Sequence, residues 1–198
     1  MTFTGLIGTI CMFPLRAIIR ACVVLRIHPN VLTFVGVLIN VVAAWALATG
    51  RFATAGGIMI AANIFDFIDG KVAREMGMES AFGGFWDSVM DRFSDLALFL
   101  GLVYLYASLQ RADYVLVTAL AMTFTVLTSY ARARAESLID KCKVGFMERP
   151  ERIVLFMIGA FTNRMAAVLW VILVLSMLTV AARIYHTWRE LEGRGATA

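Results

Sequence analysis

Four aspartates stand at spacings of three and four inside largely apolar sequence. Two lie in Asp66-Phe-Ile-Asp69-Gly70-Lys-Val-Ala73-Arg74, and two in Gly83-Gly-Phe-Trp-Asp87-Ser-Val-Met-Asp91. Residues three or four apart on a helix share a face, so Asp66 goes with Asp69, Asp87 with Asp91, and Asp95 continues the second row. Two such faces can converge. A carboxylate at membrane depth is costly and marks a functional site by default. The apolar run closes at Ile68, which puts Asp66 and Asp69 at a helix C-terminus, where partial negative charge disfavours them further. Lys71, Arg74 and Arg92 offset part of this charge, as for ordinary helix-end acids, but four carboxylates in register ask for more. An all-oxygen cluster without His or Cys suits Mg²⁺ or Mn²⁺. Two such ions can hold a diphosphate and take up the charge of an in-line displacement. Gly70 and Gly83 let a diphosphate come close to backbone.

The elements that must position these residues are membrane helices. The chain has 198 residues, 61% hydrophobic and 16% charged, with mean hydropathy +0.80, far from the roughly 25% charged residues of a soluble domain. It reads as one membrane domain over 1–198, with no room for a soluble module. Cys11, Cys22 and Cys142 show neither metal-ligand spacing nor an even count, so they read as small apolar residues. A net charge of +4 says little about an anionic partner by itself, and no nucleic-acid partner is expected.

Residues 1–27 carry Arg16, Arg20 and Arg26 where a leader would be cleaved, so a removable leader is not expected. Pro14 suits a first helical turn, and Arg16 and Arg20 lie on a different side from Ile18, Cys22 and Leu25. That pattern predicts an amphipathic helix lying in the interface. After His28-Pro29, with Asn30 as N-cap, spans are expected at Val31–Thr49, Ala53–Ile68, Ala81–Ser108 and Tyr114–Ala133. Gly56 and Gly57 in the second permit close helix contact. A polar segment, 71–80, follows the second span, and a strongly charged segment, 132–152, follows the fourth. From Ile153 the sequence is apolar again to Ala182, broken at Thr162-Asn163-Arg164. The fifth span is therefore short, too short to cross unless it starts in the headgroups. The fold class is all-α: a polytopic membrane protein with six transmembrane helices over about 31–188, preceded by the interfacial helix. With the N-terminus inside, all but Arg51, Arg111 and Arg164 of the 18 lysines and arginines fall on the cytoplasmic side, as the positive-inside rule requires. This places the chain in the cell membrane with the carboxylates facing the cytoplasm. Lys141, Lys143, Arg189 and Arg194 are best read as contacts to anionic headgroups. His28 and His186, without ligand-spaced neighbours, are interfacial residues, and Trp86, Trp170 and Trp188 suit an aromatic belt.

The spacing DxxDGxxAR, eight residues, GxxxDxxxD, carried here by Asp66, Asp69, Gly70, Ala73, Arg74, Gly83, Asp87 and Asp91, resembles the signature of the CDP-alcohol phosphotransferases. The resemblance covers the whole chain. It implies that Asp66, Asp69, Asp87 and Asp91 ligate a pair of divalent ions, Mg²⁺ with Mn²⁺ as a possible substitute, and that Asp91 is the general base. It also implies that Asn30, Val31, Leu32 and Thr33, with Asp69, Gly70, Arg74 and Ser80, hold a CDP-lipid. An ionised carboxylate beside the metals can accept a hydroxyl proton as oxygen attacks the β-phosphorus and CMP leaves.

Further on, Ser129-Tyr-Ala-Arg132-Ala-Arg-Ala-Glu136, Gly145-Phe-Met-Glu-Arg149-Pro-Glu-Arg152 and Arg183-Ile-Tyr-His186 are similar to the actinobacterial phosphatidylinositol phosphate synthases. This implies CDP-diacylglycerol as donor, inositol 1-phosphate as acceptor, and Arg132, Arg152 and Arg183 around the acceptor phosphate. Arg132 stands where that group usually has Lys, a planar fork in place of a point charge. The same chemistry with glycerol 3-phosphate is the alternative, and a cation carrier a distant one, which would need midplane carboxylates and discontinuous helices. A homodimer among membrane lipids is what the family implies.

Overall fold

The computed structural model describes residues 15–195, which form seven α-helices and, among the described residues, no strand. The expected start of the interfacial helix near Pro14 lies outside them. Helix α1, residues 15–24, buries a narrow stripe, Ile19 and Cys22, against Leu32, Ile68 and Val72 and leaves Arg16 and Arg20 exposed. Arg26 then turns the chain with a φ of 52°.

Helix α2 spans Pro29–Ala48, one turn position earlier than the sequence suggests. Pro29 has no N–H to satisfy and a φ already suited to the first helical position. His28 is therefore the cap, its Nδ1 accepting from Asn30 N at 3.2 Å, and Asn30 sits inside the first turn. Helix α3, Phe52–Glu75, corrects a second expectation. It runs on through Asp69 and Gly70 to Glu75 and ends only before Gly77, whose φ is 62°. Asp66 and Asp69 are thus interior to the helix, clear of the terminal carbonyls. Helix α4, Ala81–Ser108, is capped by Ser80, whose Oγ accepts from Gly83 N at 3.0 Å.

Helix α5, Ala112–Ala135, is followed in the chain by α6, Arg149–Phe161, and α7, Met165–Gly195. Four helices are long and apolar enough to cross a membrane: Pro29–Ala48, Phe52–Glu75, Ala112–Ala135 and Met165–Gly193. The 28-residue α4 is long enough but carries Asp87, Asp91, Arg92 and Asp95. The short fifth span is the 13-residue α6, about 20 Å at 1.5 Å per residue, against a hydrocarbon core of about 30 Å.

Helices α2 to α7 close into a ring. Around it α2 touches α3, α3 touches α6, then follow α7, α5 and α4, which returns to α2. Leu98, Phe99 and Leu102 of α4 fill the middle against Leu47, Met59, Phe156, Leu169 and Ile172, with Phe99 and Phe156 edge to face at 5.0 Å. Closure demands close approach at particular residues. A β-carbon on Gly101 would run into the Ala44 carbonyl, and one on Gly56 would stand 2.9 Å from the Phe161 ring, whereas Gly57 faces no such neighbour. The outer faces, Phe34, Leu38, Val41 and Trp45 of α2 among them, are apolar and exposed, as for helices in lipid.

Candidate active site

Because α3 and α4 both pack on α2, their acidic faces meet near one end of the ring. Asp66, Asp69 and Asp87 each place a carboxylate oxygen within 4.8 Å of the other two. Asp69, 6% exposed, is oriented by Thr33, whose Oγ1 donates to Oδ2 at 2.5 Å. Neither Asp69 nor Asp87 has an ion-pair partner among the described residues within 4.0 Å. Three carboxylates gathered without nitrogen or sulfur donors are the coordination chemistry of a hard divalent cation, and the site fits one. Both helices run unbroken through their aspartates, unlike the discontinuous helices of carriers.

Asp91, expected as the fourth member, is held one turn along. Its Oδ1 meets Arg149 Nη1 at 2.8 Å, and the same Nη1 lies 2.8 Å from Asp66 Oδ2. Arg149 went unassigned in the sequence. The available signal was its place with Arg152 in the first turn of a helix, an end where the macrodipole disfavours cations.

Two cavities adjoin the carboxylates. One, of about 240 Å³, is walled by Asn30, Thr33, Gly70, Arg74, Ser80 and Gly83, with Asp69 and Asp87 at its edge. Arg74 Nε donates to Gly70 O at 2.9 Å. Two residues expected here are turned elsewhere. The Val31 side chain is 51% exposed and absent from the lining, and Leu32, 5% exposed, packs with Ile19, Ile68 and Val72. The helix begins at Pro29, so only positions three apart, Asn30 and Thr33, share the inward face.

The other cavity, of about 150 Å³, lies beside Asp91 and collects Arg132 from α5, Arg149 and Arg152 from α6 and Arg183 from α7. Arg152, 2% exposed, pairs with Asp95. Arg183 donates from Nε to Val144 O at 3.0 Å and from Nη2 to Glu148 Oε1 at 3.1 Å. Arg132 reaches the same Glu148 oxygen at 2.9 Å and Glu136 at 3.2 Å. For Glu136, outside the spans, burial acts to raise the carboxyl's pKa, but the Cys142 N–H and Arg132 hold it below its ordinary value. Arg152 Nε and Nη1 and Arg149 Nε are buried without a partner among the described residues. Several guanidiniums with donors to spare, converging on a small cavity, have the chemistry to hold a phosphate-like anion. Arg132, Arg152 and Arg183 all line this cavity, and Glu148 was not foreseen.

Residues 26–188 match the model of the family described as CDP-alcohol phosphatidyltransferase. An archaetidylinositol phosphate synthase of Pyrococcus horikoshii is 34% identical over 180 residues, 90% of this chain and 93% of that protein. A phosphatidylinositol phosphate synthase of Mycobacterium tuberculosis is 30% identical over 182 residues, 86% of this chain and 84% of that protein. Crystal structures of the M. tuberculosis enzyme are similar in fold. The one with CDP-DAG bound has a TM-score of 0.82 at 28% identity, covering 88% of this chain and 93% of that one. The one in complex with manganese and citrate also has a TM-score of 0.82 at 28% identity, covering 87% and 88%.

Proposed function

The chain belongs to the CDP-alcohol phosphatidyltransferase family, and from that premise we propose that this enzyme transfers the phosphatidyl group of CDP-diacylglycerol to inositol 1-phosphate, releasing CMP. One observation carries the reading: a glycine-walled cavity is lined by Asp87 and an arginine-walled cavity by Asp91, neighbours one turn apart on α4. Donor and anionic acceptor would lie on opposite sides of the carboxylates. Both relatives' names share inositol phosphate as the synthase's product group, which favours that acceptor over glycerol 3-phosphate.

Asp66, Asp69, Asp87 and Asp91 would hold divalent ions, Mg²⁺ with Mn²⁺ as substitute, which supply positive charge to the donor's diphosphate. Gly70 and Gly83 let the diphosphate reach backbone, while Asn30, Thr33 and Arg74 fix the nucleotide end. Ser80, already engaged as the α4 cap, shapes that wall. Arg132, Arg152 and Arg183 hold the acceptor phosphate, leaving a ring hydroxyl toward Asp91. The Asp91 carboxylate takes the hydroxyl proton as oxygen bonds to the β-phosphorus. The bond from that phosphorus to the CMP oxygen breaks, and CMP departs.

We place six helices across the bilayer with α1 in the interface, the two cavities opening to the cytoplasm, and two copies of the chain as the working unit. The test is purified protein with Mg²⁺ and CDP-diacylglycerol, offered inositol 1-phosphate, glycerol 3-phosphate or free inositol in turn, with CMP release followed. Release with inositol 1-phosphate is the expected result. Release with glycerol 3-phosphate alone overturns the acceptor, and release with none of the three overturns the function.

A further inference from the structure

Arg149 belongs to neither group of residues assigned above, yet it contacts the carboxylates and shares a cavity with the acceptor arginines. One nitrogen, Nη1, reaches Asp66 and Asp91 at 2.8 Å each, tying α3 to α4 from the start of α6. The same side chain lines the arginine cavity and a small polar pocket beneath the carboxylates, shared with Asn40 and Ser94. Its Nε is buried without a partner among the described residues. At the first position of α6 the helix field opposes a cation, so the aspartates hold it there.

Asp66 and Asp91 are two of the four carboxylates given above to divalent ions. One oxygen of each, Asp66 Oδ2 and Asp91 Oδ1, is taken by the guanidinium, and a guanidinium beside a divalent ion is repelled by it. We propose that Arg149 is a resident counter-cation of the carboxylate site and a positioning residue for the acceptor. It holds Asp66 and Asp91 until divalent ions take them, and once displaced it turns into the adjoining arginine cavity. The acceptor site gains a positive charge when the metal site fills. Metal and anionic acceptor are therefore coupled, each favouring the other's binding by the same factor. This inference rests on the divalent-ion reading of the four aspartates.

Full-length protein in lipid nanodiscs, without donor or acceptor, is titrated with Mn²⁺ and free ion is read by electron paramagnetic resonance. Arg149→Gln binds Mn²⁺ roughly tenfold more tightly than wild type, having lost a competing cation, while Arg149→Lys stays close to wild type. Equal or weaker binding by Arg149→Gln overturns the proposal. A wild type that binds no Mn²⁺ overturns the metal reading itself, which is a distinguishable result. In turnover at saturating Mg²⁺, Arg149→Gln raises KM for inositol 1-phosphate more than it lowers kcat. An unchanged KM overturns the acceptor half. Should Arg149→Gln fail to fold, a crystal structure of wild type loaded with Mn²⁺ decides. Arg149 has then left Asp66 and Asp91, and persistence of both contacts overturns the proposal.

Discussion

The two cavities flanking the carboxylates are built in opposite ways. The glycine-walled one draws its lining from the start of α2 and one stretch of chain, 69–87, with Gly70, Ala73, Ser80, Gly83 and Gly84 making much of the wall and Arg74 its one guanidinium. The arginine-walled one gathers side chains from α4, α5, α6 and α7, and its arginines are tied to acids: Arg132 and Arg183 to Glu148, Arg152 to Asp95, Arg149 to Asp66 and Asp91. A diphosphate held by metal and backbone needs room and close approach. Under the proposed function an anionic acceptor needs convergent charge, and the paired acids would hold that charge in place until it arrives.

This contrast can be broken experimentally, and the largest effects belong to what the cavities share. Stripping divalent ions with a chelator is expected to abolish CMP release, with Mg²⁺ or Mn²⁺ restoring it; turnover in chelator would remove the common centre. Asp91→Asn is expected to lower kcat by about 10³-fold or more, within or above the range for a lost general base. Donor binding, read by isothermal titration, should survive that change. Arg132→Met tests the separation of the two sides. It is expected to raise KM for inositol 1-phosphate by roughly 10 to 100-fold, the size of a lost charge-assisted bond, with KM for CDP-diacylglycerol within about twofold. If both constants move together, the cavities are not independent.

Smaller effects sharpen the donor side. Ser80→Ala removes the α4 cap and is expected to cost about 1 kcal/mol of stability, measured by thermal unfolding in detergent, with little change in acceptor KM. Val31→Ala should be silent in both kinetics and stability, since its side chain lies outside the cavity. A raised donor KM there would put residue 31 back at the nucleotide.

The same contrast explains what the sequence made legible. The aspartate spacing and the apolar runs are local patterns, so the carboxylate faces, the helical class and the short α6 could be read directly. Arg132, Arg152 and Arg183 came through resemblance, and no local pattern says that they share a cavity. Asn30 was misplaced as a cap because Pro29 starts the helix first. The end of α3 was set too early because Lys71, Arg74 and Glu75 look like a loop by polarity, although all are good helix formers. Arg149 and Glu148 escaped because their partners lie on other helices: Asp66 is 83 positions from Arg149, and Arg183 is 35 from Glu148. No periodicity reports such distances.

The order in which the ring is assembled has a consequence for biogenesis. Asp66, Asp69, Asp87 and Asp91 leave the ribosome well before Arg149 and Arg152, and α6 and α7 must wedge in next to α3 and α5 to close the circle. Until they do, the nascent chain carries an acidic cluster without the α6 arginines that pair with Asp66, Asp91 and Asp95. A chain that stalls or is cut after Ala135 therefore keeps the whole acidic motif while lacking Arg149, Arg152 and Arg183.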